Sequence, residues 1–542
     1  METKIDFLSL ILVSLAAYAQ VGSDARGASA TLSMAGPAAL HKGLGAWSHP
    51  IATTNPKAQK FFDQGLALLY GFNRYEALRS FRRVSELDPV SVMAYWGMAM
   101  AQGPYLNMDS DPTFNLGAAC RAVASGKRLV RAPPREQAYL QAVATWCPRY
   151  RPELYTEAMR SLAAEYPDDL DAQTLYAESL LIPTRWHWYS RDGTLANGVA
   201  EAERVLEEVM RRWPDHPGAN HYYIHALESS PNPERAIPSA QKLMGIVPAA
   251  GHLVHMPGHI WLVLGEWEAA AASNERAAEV DRQYFAANKI TDGSYFSYYL
   301  HNLSFIVYAR SMQGRKADAL HAAEVLSKAA ASEEHGMAEM GGAAPPGALF
   351  AYLRFGEWDR VLRLPQPTKE KKVGTVAWHY ARTLSLLGIG DRVRALAEQR
   401  AFERARAAIS PRSYMGQNKA SDVLRIAAEI LAARLPSTAQ DSLIHWKQAA
   451  LVQDGLSYSE PPDWYYPVRE SWGAALLRAG RAADAEKVFR EGARLLPRNG
   501  RMLFGLMQSL EVQGKAEEAK WVRREFEESW AKADVLLRLD DL

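Results

Sequence analysis

Apolar residues return along this chain every three or four positions, and blocks of that spacing themselves return at a fixed interval. In residues 472–497, WGAALLRAGRAADAEKVFREGARLLP, the pattern predicts two amphipathic helices joined at Gly480. Gly480 and Gly514 are 34 residues apart, as are Ala485 and Ala519. Small residues sit at set points of this unit: Gly473 in the first helix, Ala485 and Gly492 in the second, with Pro497 closing it. The 12-residue step from Ala485 to Pro497 recurs from Ala77 to Pro89 and from Ala236 to Pro248. Residues 264–281, LGEWEAAAASNERAAEVD, repeat the signature once more.

A 34-residue period with these anchors is the mark of tetratricopeptide (TPR) repeats, so the expected fold is all-α, a TPR helix-turn-helix solenoid winding as a curved superhelix. Helical periodicity continues at 154–166, 171–181, 298–313 and 378–387, and no alternating strand pattern of useful length appears. Four segments interrupt the array: 20–57, rich in Ala, Gly and Ser, then 182–197, 332–347 and 454–467. Long insertions in a solenoid tend to share one face, often the binding face. Segments 182–197 and 454–467 are crowded with Trp and Tyr, as in a lid or pocket wall, or as in surface loops with a few packed aromatics. The resulting organisation is a signal peptide at 1–19, a flexible linker at 20–57, an N-terminal TPR array at 58–331 and a C-terminal one at 348–542.

Composition narrows the function classes. At 542 residues the chain exceeds one ordinary core, and 48% hydrophobic residues are ample for folding. Lys and Arg number 62 against 61 acidic residues, a net charge of +1 that provides no footprint for nucleic acid or an anionic membrane surface. An apolar run from Phe7 to Ala19 ends in Ala17-Tyr18-Ala19 before Gln20, the pattern of a secretory signal, although Glu2 and Asp6 offset its positive end. Export to the periplasm or the exterior is expected, and the run is too short for a membrane span. Cys120 and Cys147 fall in helical patterns on either side of Ala132-Pro133-Pro134, at similar distances from the bend. They form either a disulfide, which export permits, or two buried thiols.

The candidate chemistry lies in the histidines. Of 14 in the chain, five fall with Glu228 in one 39-residue stretch, within NHYYIHALE (220–228) and GHLVHMPGHI (251–260). With Ala236 and Ala270 at position 20 of their repeats, His221, His225 and Glu228 take positions 5, 9 and 12. His252, His255 and His259 take positions 2, 5 and 9, so His221/His255 and His225/His259 are each 34 apart. Such spacings put each trio on one helix face, with Tyr223, Ile224 and Leu227 on the other. First helices line the concave side of a TPR array, so both trios should face one groove. His301 opens the next first-helix pattern at a position resembling that of His252. Pro257 favours a helix start beside it, placing His252 and His255 just before that helix. Neutral imidazoles with a carboxylate are the ligand set for Zn or Cu, with Fe or Ni also suited. The candidate metal ligands are His221, His225, Glu228, His252, His255, His259 and His301, with Glu228 a ligand or a general base on metal-bound water. Glu178 is a lesser acidic candidate. Tyr295, Tyr298, Tyr299 and the run Asp463-Trp464-Tyr465-Tyr466 read as a pocket wall or as helix packing. His335, Met337 and Met340 are too loosely spaced for a copper box, and no HExxH, phosphate loop, nucleotide fingerprint, serine elbow or CxxC pair is present.

At FFDQGLALLYGFN, VMAYWGMAMAQGPYLN, GANHYYIHALESS, AAGHLVHMPGHI, YYLHNLSFIVYAR and DWYYPVRESWGAALLRAGR, the chain resembles a family of bacterial TPR-repeat proteins. The resemblance runs from about residue 45 to the C-terminus and implies a TPR solenoid with the histidine blocks as a shared feature. It carries no settled activity. Three functions therefore stand: a metalloenzyme acting on a small or peptide-like substrate, a scaffold gripping an extended peptide or protein partner in its groove, and an exported metal carrier.

Overall fold

Each hairpin starts and stops where its sequence dictates. Asn55 accepts hydrogen bonds from the Lys57 and Ala58 N–H groups and, with Pro56 at the first position, opens the helix Pro56–Tyr70. Asn73 caps the next helix, Arg74–Leu87, by accepting from Glu76 N–H. The two pack closely because Gly65 and, from the following helix, Gly97 leave room for the Phe81 ring; a Cβ at Gly97 would lie only 2.3 Å from it. Gly473 and Gly505 receive Phe489 in the same way near the C-terminus. The repeat's small residues are thus sockets for a second-helix phenylalanine.

The computed structural model describes residues 38–107, 114–129, 131–288, 290, 294–331, 346–435 and 438–542. The expected signal segment 1–19, the start of the linker, and His335, Met337 and Met340 lie outside the described residues. Helical hairpins follow one another throughout, including Leu170–Leu181 with Val199–Arg212, Pro217–Glu228 with Ile237–Ile246, Trp267–Asn288 with Ser294–Met312, and Gly500–Val512 with Ala516–Ser529. The fold is the all-α TPR solenoid. Among the described residues the only sheet is a two-residue pairing, Tyr414–Met415 with Asn418–Lys419. Cys120 and Cys147 are joined in a disulfide with Cα atoms 5.7 Å apart. No helix among the described residues is long and apolar enough to cross a membrane.

Two features add to the expected organisation. Residues 38–55, assigned to a flexible linker, pack against the first hairpins. Trp47 Nε1 and His49 Nδ1 both donate to the buried Asp171 carboxylate, at 3.1 and 2.8 Å, and Ile51 enters the core. Small residues dominate this segment's composition, but a few large ones hold it in place. The two arrays also interlock, residues 38–542 forming one unit. Trp267 Nε1 donates to the Arg498 carbonyl at 3.0 Å, Asp534 accepts from Lys316 and Ala317 N–H, and Arg354 pairs with Glu470 at 2.9 Å.

Candidate metal centre

All twelve residues of the helix Pro217–Glu228 are buried, so His221, His225 and Glu228 cannot turn to solvent. His252 and His255 lie in the helical turn Gly251–His255, and His259 in Pro257–Val263. As Pro257 predicts, a helix starts there and His252 and His255 lie before it, in a short helical turn of their own. Met256, between the turn and the helix, keeps helical angles (φ −51°, ψ −36°), since proline at a helix's first position costs no hydrogen bond. His301 does not open its helix, which begins seven residues earlier at Ser294.

The structure brings all seven predicted residues together. His221, His225 and His252 form one group, His255, His259 and His301 a second, and His225, Glu228 and His259 a third that bridges the first two; within each group the ligand atoms lie within 4.8 Å of one another. The five histidines of the two blocks and Glu228 are at most 3% exposed, whereas His301 is only partly buried. The sequence places both trios in one groove and reads the two aromatic-rich insertions as a lid or pocket wall, or as surface loops. The first alternative holds: Trp186 and Trp188 of one insertion and Glu460 of the other close over the histidines.

Ring nitrogens on the outside of the cluster are tied to oxygen. His221 Nδ1 donates to the Tyr70 carbonyl at 2.6 Å, leaving its Nε2 with a lone pair. His255 Nδ1 donates to Asn274 Oδ1 at 2.6 Å; the Asn274 amide nitrogen is committed to the Ala270 carbonyl, which fixes that direction. His225 Nδ1 lies 3.1 Å from Glu228 Oε1, and His225 Nε2 is buried with no partner. His259 Nδ1 sits 2.6 Å from Glu228 Oε2 and 2.5 Å from Glu460 Oε2, neither contact aligned as a hydrogen bond. Inward-facing nitrogens meet one another: Nε2 to Nε2 is 3.1 Å between His221 and His252, and 2.6 Å between His255 and His259. The 2.6 Å contact requires a proton shared between the two rings, whereas the 3.1 Å contact is spaced for either a proton or a cation.

Electrostatics keep most of these rings neutral. Burial pushes His221 down to about 3 and His301 down to about 4. Burial, and then the neighbouring imidazoles, hold His225 and His252 well below the ordinary range, and His255 falls for the same reasons despite its bond to Asn274. His259 is the exception: burial opposes its charge, but Glu460 and Glu228 outweigh it and raise the ring to about 10. Burial and the adjacent Glu460 hold Glu228 well above the usual carboxylate range. Neutral imidazoles are the form that binds metal, so five of the rings are ready to ligate and His259 does so only by giving up its Nε2 proton to the incoming cation.

Other candidates divide. Tyr298 packs against His252 with ring centroids 4.6 Å apart, and the Tyr295 hydroxyl accepts from His252 N–H at 3.3 Å. Tyr299 instead packs on Phe285 and Phe296. Trp464, Tyr465 and Tyr466 pack on Phe350, Tyr380 and Tyr308, in the helix-packing role. Glu178 is buried apart from the histidine groups, where desolvation raises it to about 7 near Arg74 and Tyr222.

Sequence reasoning missed Glu460, Trp186, Trp188, Phe305 and Phe72. Trp186 and Trp188 from one flagged insertion pack on His225, and Glu460 comes from another. Phe72 carries the clearest sequence signal. Five residues before the second-helix alanine, the turns at Gly265, Gly314, Gly390, Gly480 and Gly514 use glycine at φ of 69 to 81°. Five residues before Ala77 stands Phe72, at φ 54°. A bulky side chain there is strained, and its ring lies 4.6 Å from His221 and 4.9 Å from His252.

No family model matches this chain, and no curated protein matches it. Among solved structures, the human IFIT1 dimer with m7Gppp-AAAA is 12% identical over 89% of this chain and 92% of its own, with a TM-score of 0.34. Yeast Tom70 is 10% identical over 87% and 90%, with a TM-score of 0.27. The P58(IPK) TPR domain is 11% identical over 85% and 99%, with a TM-score of 0.20. Likeness at this level carries no argument about function.

Proposed function

We propose that this chain is an exported TPR-repeat protein that binds transition metal in its buried histidine cluster, with Zn or Cu the best-suited ions and Fe next. The observation that carries the reading is the direction of the imidazoles. Nδ1 of His221 and of His255 donates to an oxygen that can only accept, which turns Nε2 and its lone pair inward, as in proteins where an outer hydrogen bond orients a metal-bound ring. His225 Nδ1 sits against Glu228, and its Nε2 is buried and unpartnered. On this reading Glu228 orients His225 and His259 rather than ligating directly. Turnover on a small or peptide-like substrate would occur at the His301 side, where enclosure is least.

Metal analysis of protein purified without added metal should find bound Zn or Cu. His225→Ala and His259→Ala should each strongly reduce stoichiometric metal binding, because losing a ligand deletes a coordination bond. His187→Ala, exposed in an insertion, should leave binding unchanged. Undiminished metal in the His225/His259 double variant would end this reading and favour a peptide-binding scaffold. Glu228→Gln that retains metal but loses turnover would mark a base or orienting role, and lost metal would mark a ligand.

Export rests on the apolar run 7–19 and is supported by the Cys120–Cys147 disulfide, a bond suited to oxidising compartments. N-terminal sequencing of native protein should find a start near Gln20; an intact Met1 would refute it.

A further inference from the structure

The cluster's internal symmetry goes further than the presence of metal. With Ala236, Ala270 and Ala319 as equivalent second-helix anchors, all fully buried, three consecutive repeats begin at 217, 251 and 300. The group His221, His225, His252 is then positions 5 and 9 of one repeat and position 2 of the next. The group His255, His259, His301 is positions 5 and 9 of that next repeat and position 2 of the third. One ligand set has been laid down twice. The series stops cleanly at both ends: the first repeat has Gly218 at position 2, and the third has Ser304 and Tyr308 at positions 5 and 9.

The surroundings repeat as well. Each position-5 histidine has its Nδ1 on a neutral oxygen, the Tyr70 carbonyl for His221 and Asn274 Oδ1 for His255. Each position-9 histidine has its Nδ1 against carboxylate, Glu228 for His225 and Glu228 with Glu460 for His259. Glu228 stands at position 12, where the following repeat has Leu262; Glu460, about two hundred residues onward, supplies the carboxylate that Leu262 lacks. One phenylalanine backs each trio: Phe72 lies 4.6 to 6.1 Å from the first three rings, and Phe305 lies 4.9 to 5.2 Å from the second three.

We infer that the cluster is a two-metal centre in which His221, His225 and His252 hold one ion through three imidazoles and His255, His259 and His301 hold a second. A tetrahedral Zn–N site with bonds of 2.0–2.1 Å separates its nitrogens by about 3.3 Å, close to the 3.1 Å between His221 and His252, while the 2.6 Å pair His255 and His259 has to open by about 0.7 Å to admit the second ion. Rings of different trios approach to 5.5 Å (His252 and His255) and 5.6 Å (His225 and His259), so the ions are neighbours in one chamber. Three imidazoles leave each ion a position for water or substrate, as two-metal hydrolytic or oxidative sites require.

This inference rests on the metal-binding reading, and zinc stoichiometry separates the two. Full-length protein stripped of metal and titrated with Zn alone, read by native mass spectrometry, should take two ions. His252→Gln and His301→Gln should each take one, and the double variant none. The metal-free variants should match the melting temperature of metal-free wild type, with His252→Asn and His301→Asn as alternatives if either glutamine variant misfolds. One ion in wild type, lost in either variant, would mean a single shared site and overturn this inference while leaving the metal-binding reading intact. No ion in wild type would overturn both. A single variant that still takes two ions would overturn the assignment of its trio.

Discussion

Asp171→Ala should cost about 3–5 kcal/mol of folding stability, the usual penalty for removing one partner of a buried charged pair, and should also weaken metal binding. Asp171 is 2% exposed and accepts from Trp47 Nε1, Tyr70 Oη and His49 Nδ1, with His216 Nε2 3.2 Å away. These donors belong to the N-terminal segment, the first hairpin and the histidine helix, so one carboxylate ties three separate elements. Burial alone would raise Asp171, but the bonds from His216 and His49 hold it far below the usual carboxylate range. The sign follows: a depressed carboxyl contributes stability above its unfolded pKa of about 3.9, which is lost only as pH falls toward the folded value, so mild acid leaves this anchor intact. The link to the metal runs through Tyr70, whose hydroxyl bonds Asp171 while its carbonyl holds His221 Nδ1. Disturbing such an outer contact typically costs about 10–100-fold in metal affinity. Chemical denaturation and zinc titration of Asp171→Ala and Asp171→Asn test both parts. An Ala variant with wild-type stability would show that the N-terminal segment is held by its apolar residues alone.

What was legible in the sequence follows a physical boundary. Position within a repeat is local information, so the 34-residue echo of His221/His225 in His255/His259, and the placing of His301 in the next unit, are legible in the sequence. Glu460 could not be placed, because nothing local states that residue 460 returns to residue 259. The insertion carrying it could be flagged only as a break in periodicity. Phe72 was legible in principle: the turn position asks for a residue tolerant of positive φ, and a phenylalanine there has to be compensated by what its ring touches. Segment 38–55 is harder to read because composition averages over residues, and Trp47, His49 and Ile51 decide its conformation against a background of Ala, Gly and Ser. Pro257 reads correctly as a helix start, since proline is suited to a first helical position; the short turn Gly251–His255 before it is too brief to show as a periodic pattern.

The metal-free protein should lose stability steeply between pH 6.5 and 4. His221 and His301 are pushed down to about 3 and about 4 by burial, against about 6.5 in the unfolded chain. Below pH 6.5 the unfolded state therefore binds two protons that the folded state refuses. Each contributes at most about 1.4 kcal/mol per pH unit, reached only well below 6.5, so this pair alone removes about 2 kcal/mol over the first unit below 6.5. His225, His252 and His255 shift the same way and steepen the loss. His259 works in the opposite sense: raised to about 10, it contributes stability that is complete below pH 6.5 and disappears as pH climbs through 10. Stability should thus peak near neutrality and fall on both flanks, more sharply in acid. Bound metal adds a second acid dependence, because protons compete for the same Nε2 lone pairs. Urea midpoints at pH 7.5, 6.5 and 5.5, with chelator and with saturating zinc, separate the two contributions. The His221→Gln, His301→Gln variant should show a flatter acid limb in chelator. A metal-free wild-type protein whose midpoint stays level from pH 7.5 to 5.5 would mean that water reaches these rings, and that the enclosure described for the cluster does not hold in solution.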